Sequence, residues 1–209
     1  LAASGITQPF PIQSMTLQIA MGGHDLIGQA KTGTGKTLGF GVPLLERVKS
    51  KEEGGNGTPQ ALVVVPTREL CVQVTGDLAM AGKTRGIRVT PIYGGRAFEP
   101  QLEALKKGVE VVVGTPGRLL DLARQGHLNL GQVDVLVLDE ADEMLDLGFL
   151  PDVERILDLT PDERQTMLFS ATMPSPVVAL ARRFMRQPTH IRAQDPYEGQ
   201  TVENTEIFV

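Results

Sequence analysis

Cysteine occurs once in these 209 residues, at Cys71, and histidine three times, at His24, His127 and His190. One thiol excludes an internal disulfide framework, and three dispersed imidazoles offer no zinc-ligand spacing. A reducing, cytoplasmic setting is therefore expected. Long hydrophobic runs are also missing: none approaches the roughly 20 residues that span a bilayer, so no membrane partner is expected. The chain opens on Leu1 with no charged-then-apolar leader and is read as a piece of a longer protein. Cations are in deficit, since 20 Lys and Arg against 25 Asp and Glu leave a net charge of −5 and a pI of about 5.3. That balance excludes a surface coated with nucleic-acid-binding cations, so any such interface has to rest on particular positions.

What the chain does have is the composition of a globular domain with a sizeable core, at 41% hydrophobic and 22% charged residues. Short β-branched runs recur at residues 25–28, 61–66, 88–95, 110–115, 134–139, 166–172 and 190–193. Several are continuously apolar, the mark of strands buried on both faces of a parallel sheet. Helix-length segments alternate with them at residues 37–49, 68–81, 99–107, 116–124 and 176–185. The pattern predicts an α/β fold, a mostly parallel β-sheet with helices on both faces. Residues 49–59, "KSKEEGGNGTP", read as an exposed, mobile loop. Residues 1–193 form the expected domain, and residues 194–209 read as a linker toward a second one.

After the first apolar run comes "AKTGTGKT": Ala30, Lys31, Thr32, Gly33, Thr34, Gly35, Lys36 and Thr37. Glycines let backbone N–H groups turn toward phosphate, a lysine offsets phosphate charge, and a hydroxyl holds Mg²⁺. Ala30 departs from the glycine that opens the general pattern. A glycine turn that only caps a helix is the plain alternative, but the strand, loop and helix context favours the phosphate loop.

A second stretch, "VLVLDEADEMLD" at residues 135–146, breaks from an apolar run into five carboxylates. Ligands of parallel α/β sheets collect outside the carboxyl ends of the strands. Asp139 stands at such an end and is expected to share Mg²⁺ with Thr37, while Glu140 polarises a water for attack on the terminal phosphorus. Glu143 and Asp146 are expected to face solvent on the following helix, where the helix dipole favours them.

Residues 139–142 spell Asp-Glu-Ala-Asp, and with the phosphate loop the chain resembles the amino-terminal RecA-like domain of a DEAD-box ATP-dependent RNA helicase. The resemblance runs in order along nearly the whole chain. "GITQPFPIQ" at residues 5–13 looks like the motif in which Gln13 reads the adenine edge, implying ATP as the nucleotide. Small Ala30 is normal for the family. "PTREL" (Pro66, Thr67, Arg68 and two more), the Gly94 and Gly95 doublet, and "TPGR" (Thr115, Pro116, Gly117 and Arg118) look like its RNA-backbone motifs. Thr115 before Pro116 reads as a hydroxyl-capped helix start, and such contacts would hold RNA without reading bases. "SAT", residues 170–172, looks like the motif that couples the nucleotide site to RNA, with Ser170 and Thr172 reaching Asp142.

The resemblance implies ATP and Mg²⁺ as cofactors, and RNA and a second RecA-like domain as partners. The chain itself is expected to be monomeric. No second motif set with an arginine finger follows within these residues, so this piece is expected to bind ATP but turn it over poorly. Two rivals remain: an ATP-gated RNA clamp that does not unwind, which shares every motif here, and a DNA-directed helicase or RecA-type motor, against which the Gln13 motif and the DEAD spelling argue.

Overall fold

The apolar runs become seven short strands: β1 (Leu26–Gln29), β2 (Ala61–Val64), β3 (Val89–Ile92), β4 (Val111–Gly114), β5 (Val135–Leu138), β6 (Gln165–Ser170) and β7 (Thr189–Arg192). The computed structural model describes residues 11–31 and 35–192. Its strands form one sheet in the order β3-β4-β2-β5-β6-β1-β7, with every neighbouring pair parallel. Helix α1 (Pro11–Met21) precedes β1; parallel neighbours need crossovers, and the later helices supply them: α2 (Lys36–Arg47), α3 (Arg68–Gly82), α4 (Glu99–Lys107), α5 (Pro116–Arg124), α6 (Ala141–Asp146), α7 (Leu150–Asp158) and α8 (Ser175–Phe184).

Alternate residues of each strand feed two cores. Ala61, Val63, Val111, Val113, Val135, Val137, Met167 and Phe169 pack against α1, α2 and α3 through Ala20, Phe40, Leu44, Val74 and Leu78. Leu62, Val64, Val112, Leu136, Leu138 and Leu168 pack on the other face against α5 to α8. Each large side chain buried this way contributes about 1.5–3 kcal/mol. Pro91, which lacks a ladder N–H, sits on the edge strand β3 where that absence is tolerated. Gly28 lets β1 and β6 meet closely, because a Cβ there would lie 2.5 Å from the Phe169 ring.

The expected α/β class and its parallel sheet are what forms, and most element limits fall within two residues of those read from the sequence. Two helices were not anticipated, α1 and α7. Leu150, Val153, Ile156 and Leu157 carry the buried stripe of α7, and their spacing was the available signal. The 49–59 loop is largely exposed as expected, yet it is pinned. Arg85 donates to Glu53 at 3.0 and 2.7 Å and to the carbonyls of Leu45 and Val48. The Arg85 bonds to Glu53, with the Ser50 N–H donating to Glu53 Oε2 at 2.9 Å, hold the Glu53 carboxyl down at about 2. No helix among the described residues is long and apolar enough to cross a membrane.

Strand order positions everything that follows. β5, β6 and β1 are adjacent, so the segments leaving them (Asp139 onward, 170–172, and the phosphate loop) converge at one half of the carboxyl edge. β3, β4 and β2 are adjacent at the other half, and they deliver Gly94–Gly95, Thr115–Arg118 and Pro66–Arg68.

Candidate active site

The phosphate loop leaves β1 through Ala30, which is buried and donates its N–H to the Ser170 carbonyl at 3.2 Å. Lys31 is exposed, and Thr32, Gly33 and Thr34 lie outside the described residues. The chain re-enters at Gly35, whose φ of 75° is a left-handed conformation that glycine adopts without strain. Helix α2 then begins with Lys36, only 6% exposed, followed by half-buried Thr37. The side chain of Gln13 lies outside the described parts of the structure.

Opposite Lys36 stands Asp139, 2% exposed, its backbone N–H held by the Val64 carbonyl at 2.9 Å. Lys36 Nζ lies 3.6 Å from Asp139 Oδ1, too far for a hydrogen bond, and neither buried atom has a hydrogen-bond partner among the described residues. Burial pushes the Asp139 carboxyl up to about 6; Lys36 pulls it down and Glu140 pushes it further up. Buried charges are normally fully satisfied, and external partners could satisfy these two: a phosphate oxygen the ammonium, a cation the carboxylate.

Glu140 is the N-cap of α6 with φ 53° and ψ 53°, a left-handed conformation costly for a residue with a side chain. Strain of this kind persists where the surrounding structure enforces it, often at functional sites. Lys36, Glu140, Asp142, Glu143, Asp146 and Ala171 line one cleft of about 140 Å³.

The expectation that Glu143 merely faces solvent needs correction. It is half-buried on the cleft wall, and its carboxyl is raised to about 7. A hydrogen bond with Glu140 is the largest cause, followed by burial and the charges of Glu140, Asp142 and Asp146. The spacing of three residues, N-cap to N3, was the sequence signal for this pairing. Asp146 is exposed, though it borders the cleft.

Asp142 meets the 170–172 segment directly. Its backbone N–H donates to Ser170 Oγ at 3.0 Å, and Thr172 donates to its carboxylate through both N–H (3.0 Å) and hydroxyl (2.9 Å). Burial works to raise this carboxyl, but hydrogen bonds from Thr172, Ser170 and the Glu143 N–H together hold it below its ordinary value.

At the other half of the edge, Thr67 caps α3, its Oγ1 accepting the Leu70 N–H at 3.2 Å beside buried Pro66. Arg68 is exposed, and a Cβ on Gly95 (φ 77°) would lie 3.5 Å from its Nη1; Gly94 is open. Thr115 and Pro116 do start α5, but the expected hydroxyl cap is absent. The first-turn N–H groups near Gly117 therefore lack a side-chain cap.

Arg118 is oriented by residues that sequence reasoning missed. It donates to the Arg96 carbonyl at 3.3 and 3.2 Å and to Gln101 Oε1 at 3.4 Å, and it lies 4.3 Å above the Phe98 ring centroid.

Among the described residues no group of three or more His, Cys, Asp or Glu could cage a metal. One buried carboxylate and one hydroxyl fit instead a cation that keeps waters and phosphate oxygens as its other ligands.

The DEAD/DEAH box helicase family model matches residues 10–180. The DEAD-box ATP-dependent RNA helicase CshA of Streptococcus pneumoniae serotype 4 (strain ATCC BAA-334 / TIGR4) is 49% identical over 189 residues, 90% of this chain and 35% of that protein. CshA of Geobacillus kaustophilus (strain HTA426) is 50% identical over 204 residues, 98% of this chain and 42% of that one. The chain thus spans well under half the length of these curated relatives.

Among solved structures, a DEAD box protein from the hyperthermophile Methanococcus jannaschii superposes with a TM-score of 0.86 at 39% identity, covering 92% of this chain and 52% of that one. A hypothetical ATP-dependent RNA helicase from Sulfolobus tokodaii gives 0.83 at 34% identity, covering 92% and 55%. With the family model matching most of its length and the fold shared, the chain belongs to the DEAD/DEAH box helicase family.

Proposed function

We propose that this chain is the nucleotide-binding domain of an ATP-dependent RNA helicase. It holds Mg·ATP at the β5-β6-β1 half of the sheet edge and an RNA backbone at the β3-β4-β2 half. The observation that carries the reading is the buried Lys36–Asp139 pair, whose facing atoms have no hydrogen-bond partner among the described residues, with Lys36 lining the same cleft as Glu140.

In this reading the backbone from Ala30 to Gly35 wraps the phosphates, Lys36 offsets their charge, and Gln13 reads adenine. Thr37 and Asp139 hold Mg²⁺, which when bound supplies positive charge against that of the phosphates. Glu140 orients the attacking water and accepts its proton on a carboxylate oxygen. Arg68, Arg118 and the starts of α3 and α5 grip phosphate and ribose, with Gly94 and Gly95 permitting close backbone approach. The Asp142–Ser170–Thr172 contact couples the two halves.

Residues 194–209 lead to a second RecA-like domain, whose arginines complete the hydrolytic site and permit unwinding. A cytoplasmic setting is part of the proposal, supported by the single, buried Cys71.

The test compares ATP hydrolysis by the full-length protein with single-stranded RNA, single-stranded DNA or neither. Stimulation by RNA alone supports the reading. Equal stimulation by DNA, or none by RNA, overturns it.

A further inference from the structure

Gln29, the last residue of β1, links the segment leaving β6 and the neighbouring strand β7 through one carboxamide. Its Nε2 donates to the Ala171 carbonyl at 3.4 Å, and its Oε1 lies 3.1 Å from His190 Nε2 on β7. A carbonyl oxygen can only accept, so the Ala171 contact sets the orientation of the amide. Oε1 must then accept from His190, which places a proton on Nε2. The bond survives protonation of the imidazole, because the neutral Nε2–H form and the cation both donate.

Register explains the meeting. Gln29 pairs with Arg192 and Ile27 with His190, so Gln29 and His190 are diagonal neighbours on one face. The next residue, Ala30, opens the phosphate loop and donates to the Ser170 carbonyl at 3.2 Å. Ala171 lines the cleft, and Thr172 donates twice to Asp142. Loop start and 170–172 segment are thus fastened by one backbone bond and one side-chain bond, with His190 bracing the latter.

We infer that Gln29 is a positioning residue that holds the start of the phosphate loop in fixed relation to the Ser170–Thr172 segment. Its kinetic consequence rests on the function proposed above; the tether itself does not.

Two variants of the full-length protein test it. Gln29→Met keeps side-chain length and loses both bonds. Gln29→Glu keeps an acceptor for His190 but loses the donor to Ala171. Amide hydrogen exchange at Ala30 and Thr172 is expected to quicken about tenfold in both, the order expected for one lost hydrogen bond, while core amides such as that of Val137 keep their parental rates. RNA-stimulated kcat of Gln29→Met is expected to fall about tenfold with the ATP KM within about threefold, since the ground-state phosphate contacts remain.

Parental exchange at Ala30 and Thr172 in both variants overturns the tether, as does an equal rise at every amide. Altered exchange with an unchanged kcat overturns its kinetic role. A parent protein that does not hydrolyse ATP refutes the proposed function, and the exchange data still decide the tether.

Discussion

Lys36 Nζ and Asp139 Oδ1 face each other at 3.6 Å in a buried setting, each without a hydrogen-bond partner among the described residues. A pair so placed is poised for a ligand more than for stability, because desolvation of both charges offsets much of their attraction. Lys36→Met or Asp139→Leu alone is expected to destabilise the fold by about 3–5 kcal/mol, by leaving one buried charge uncompensated. The double variant is expected within about 1 kcal/mol of the parent, or above it. All three lose ATP binding. Chemical unfolding and calorimetric titration with Mg·ATP check both halves.

Thr172 holds the Asp142 carboxylate through two donors, and Asp142 stays ionised below the ordinary range. A depressed carboxyl contributes stability that is present above its unfolded pKa and is lost as pH falls through the folded one. Thr172→Val removes the hydroxyl donor and is expected to raise the Asp142 pKa. Since Asp142 is partly exposed, the loss of stability stays below about 1 kcal/mol. RNA-stimulated turnover should suffer more than ATP affinity. Carboxyl NMR titration beside steady-state kinetics separates the two effects.

Glu143 carries the opposite sign. Its hydrogen bond with Glu140, then burial and neighbouring charge, raise it to about 7. The folded state thus keeps a proton that the unfolded chain releases near 4.5. That contribution to stability is complete below 4.5 and is lost as pH rises to about 7. Glu143→Gln is expected to flatten the pH dependence of the thermal midpoint across this window. Glu140→Gln should return Glu143 toward its ordinary range in a carboxyl NMR titration.

The close passage of β1 over Phe169 predicts that Gly28→Ala destabilises by about 1–3 kcal/mol through overpacking. The Phe169 ring is fully buried and packs on Phe40 with centroids 5.3 Å apart, so it has little room to yield. Gly28→Ala combined with Phe169→Leu should recover part of the loss in urea unfolding.

The parallel sheet was legible because β2, β4 and β5 are apolar at nearly every position, as burial on both faces requires. Phosphate loop and acidic motif could be read because each chemistry demands particular residues at fixed offsets. The environments of the carboxylates were not legible. Whether Glu143 meets solvent or Glu140 depends on the helical turn between them and on the wall opposite. Likewise Arg118 could be named from its motif, but Phe98 and Gln101, which aim it, lie on another segment with no motif of their own. Gln29 was hidden for the same reason, since its partners Ala171 and His190 lie more than a hundred residues away in sequence.

The most direct test of the account is Glu140→Gln in the full-length protein, with Mg·ATP affinity and RNA-stimulated hydrolysis measured on the same preparation. In the proposed function Glu140, strained into a left-handed conformation beside the Lys36–Asp139 pair, serves the water and not nucleotide binding. Affinity is therefore predicted to stay within about threefold while turnover falls at least about a hundredfold, the range expected for loss of a general base. Turnover retained within a few-fold, or affinity lost together with turnover, would contradict it.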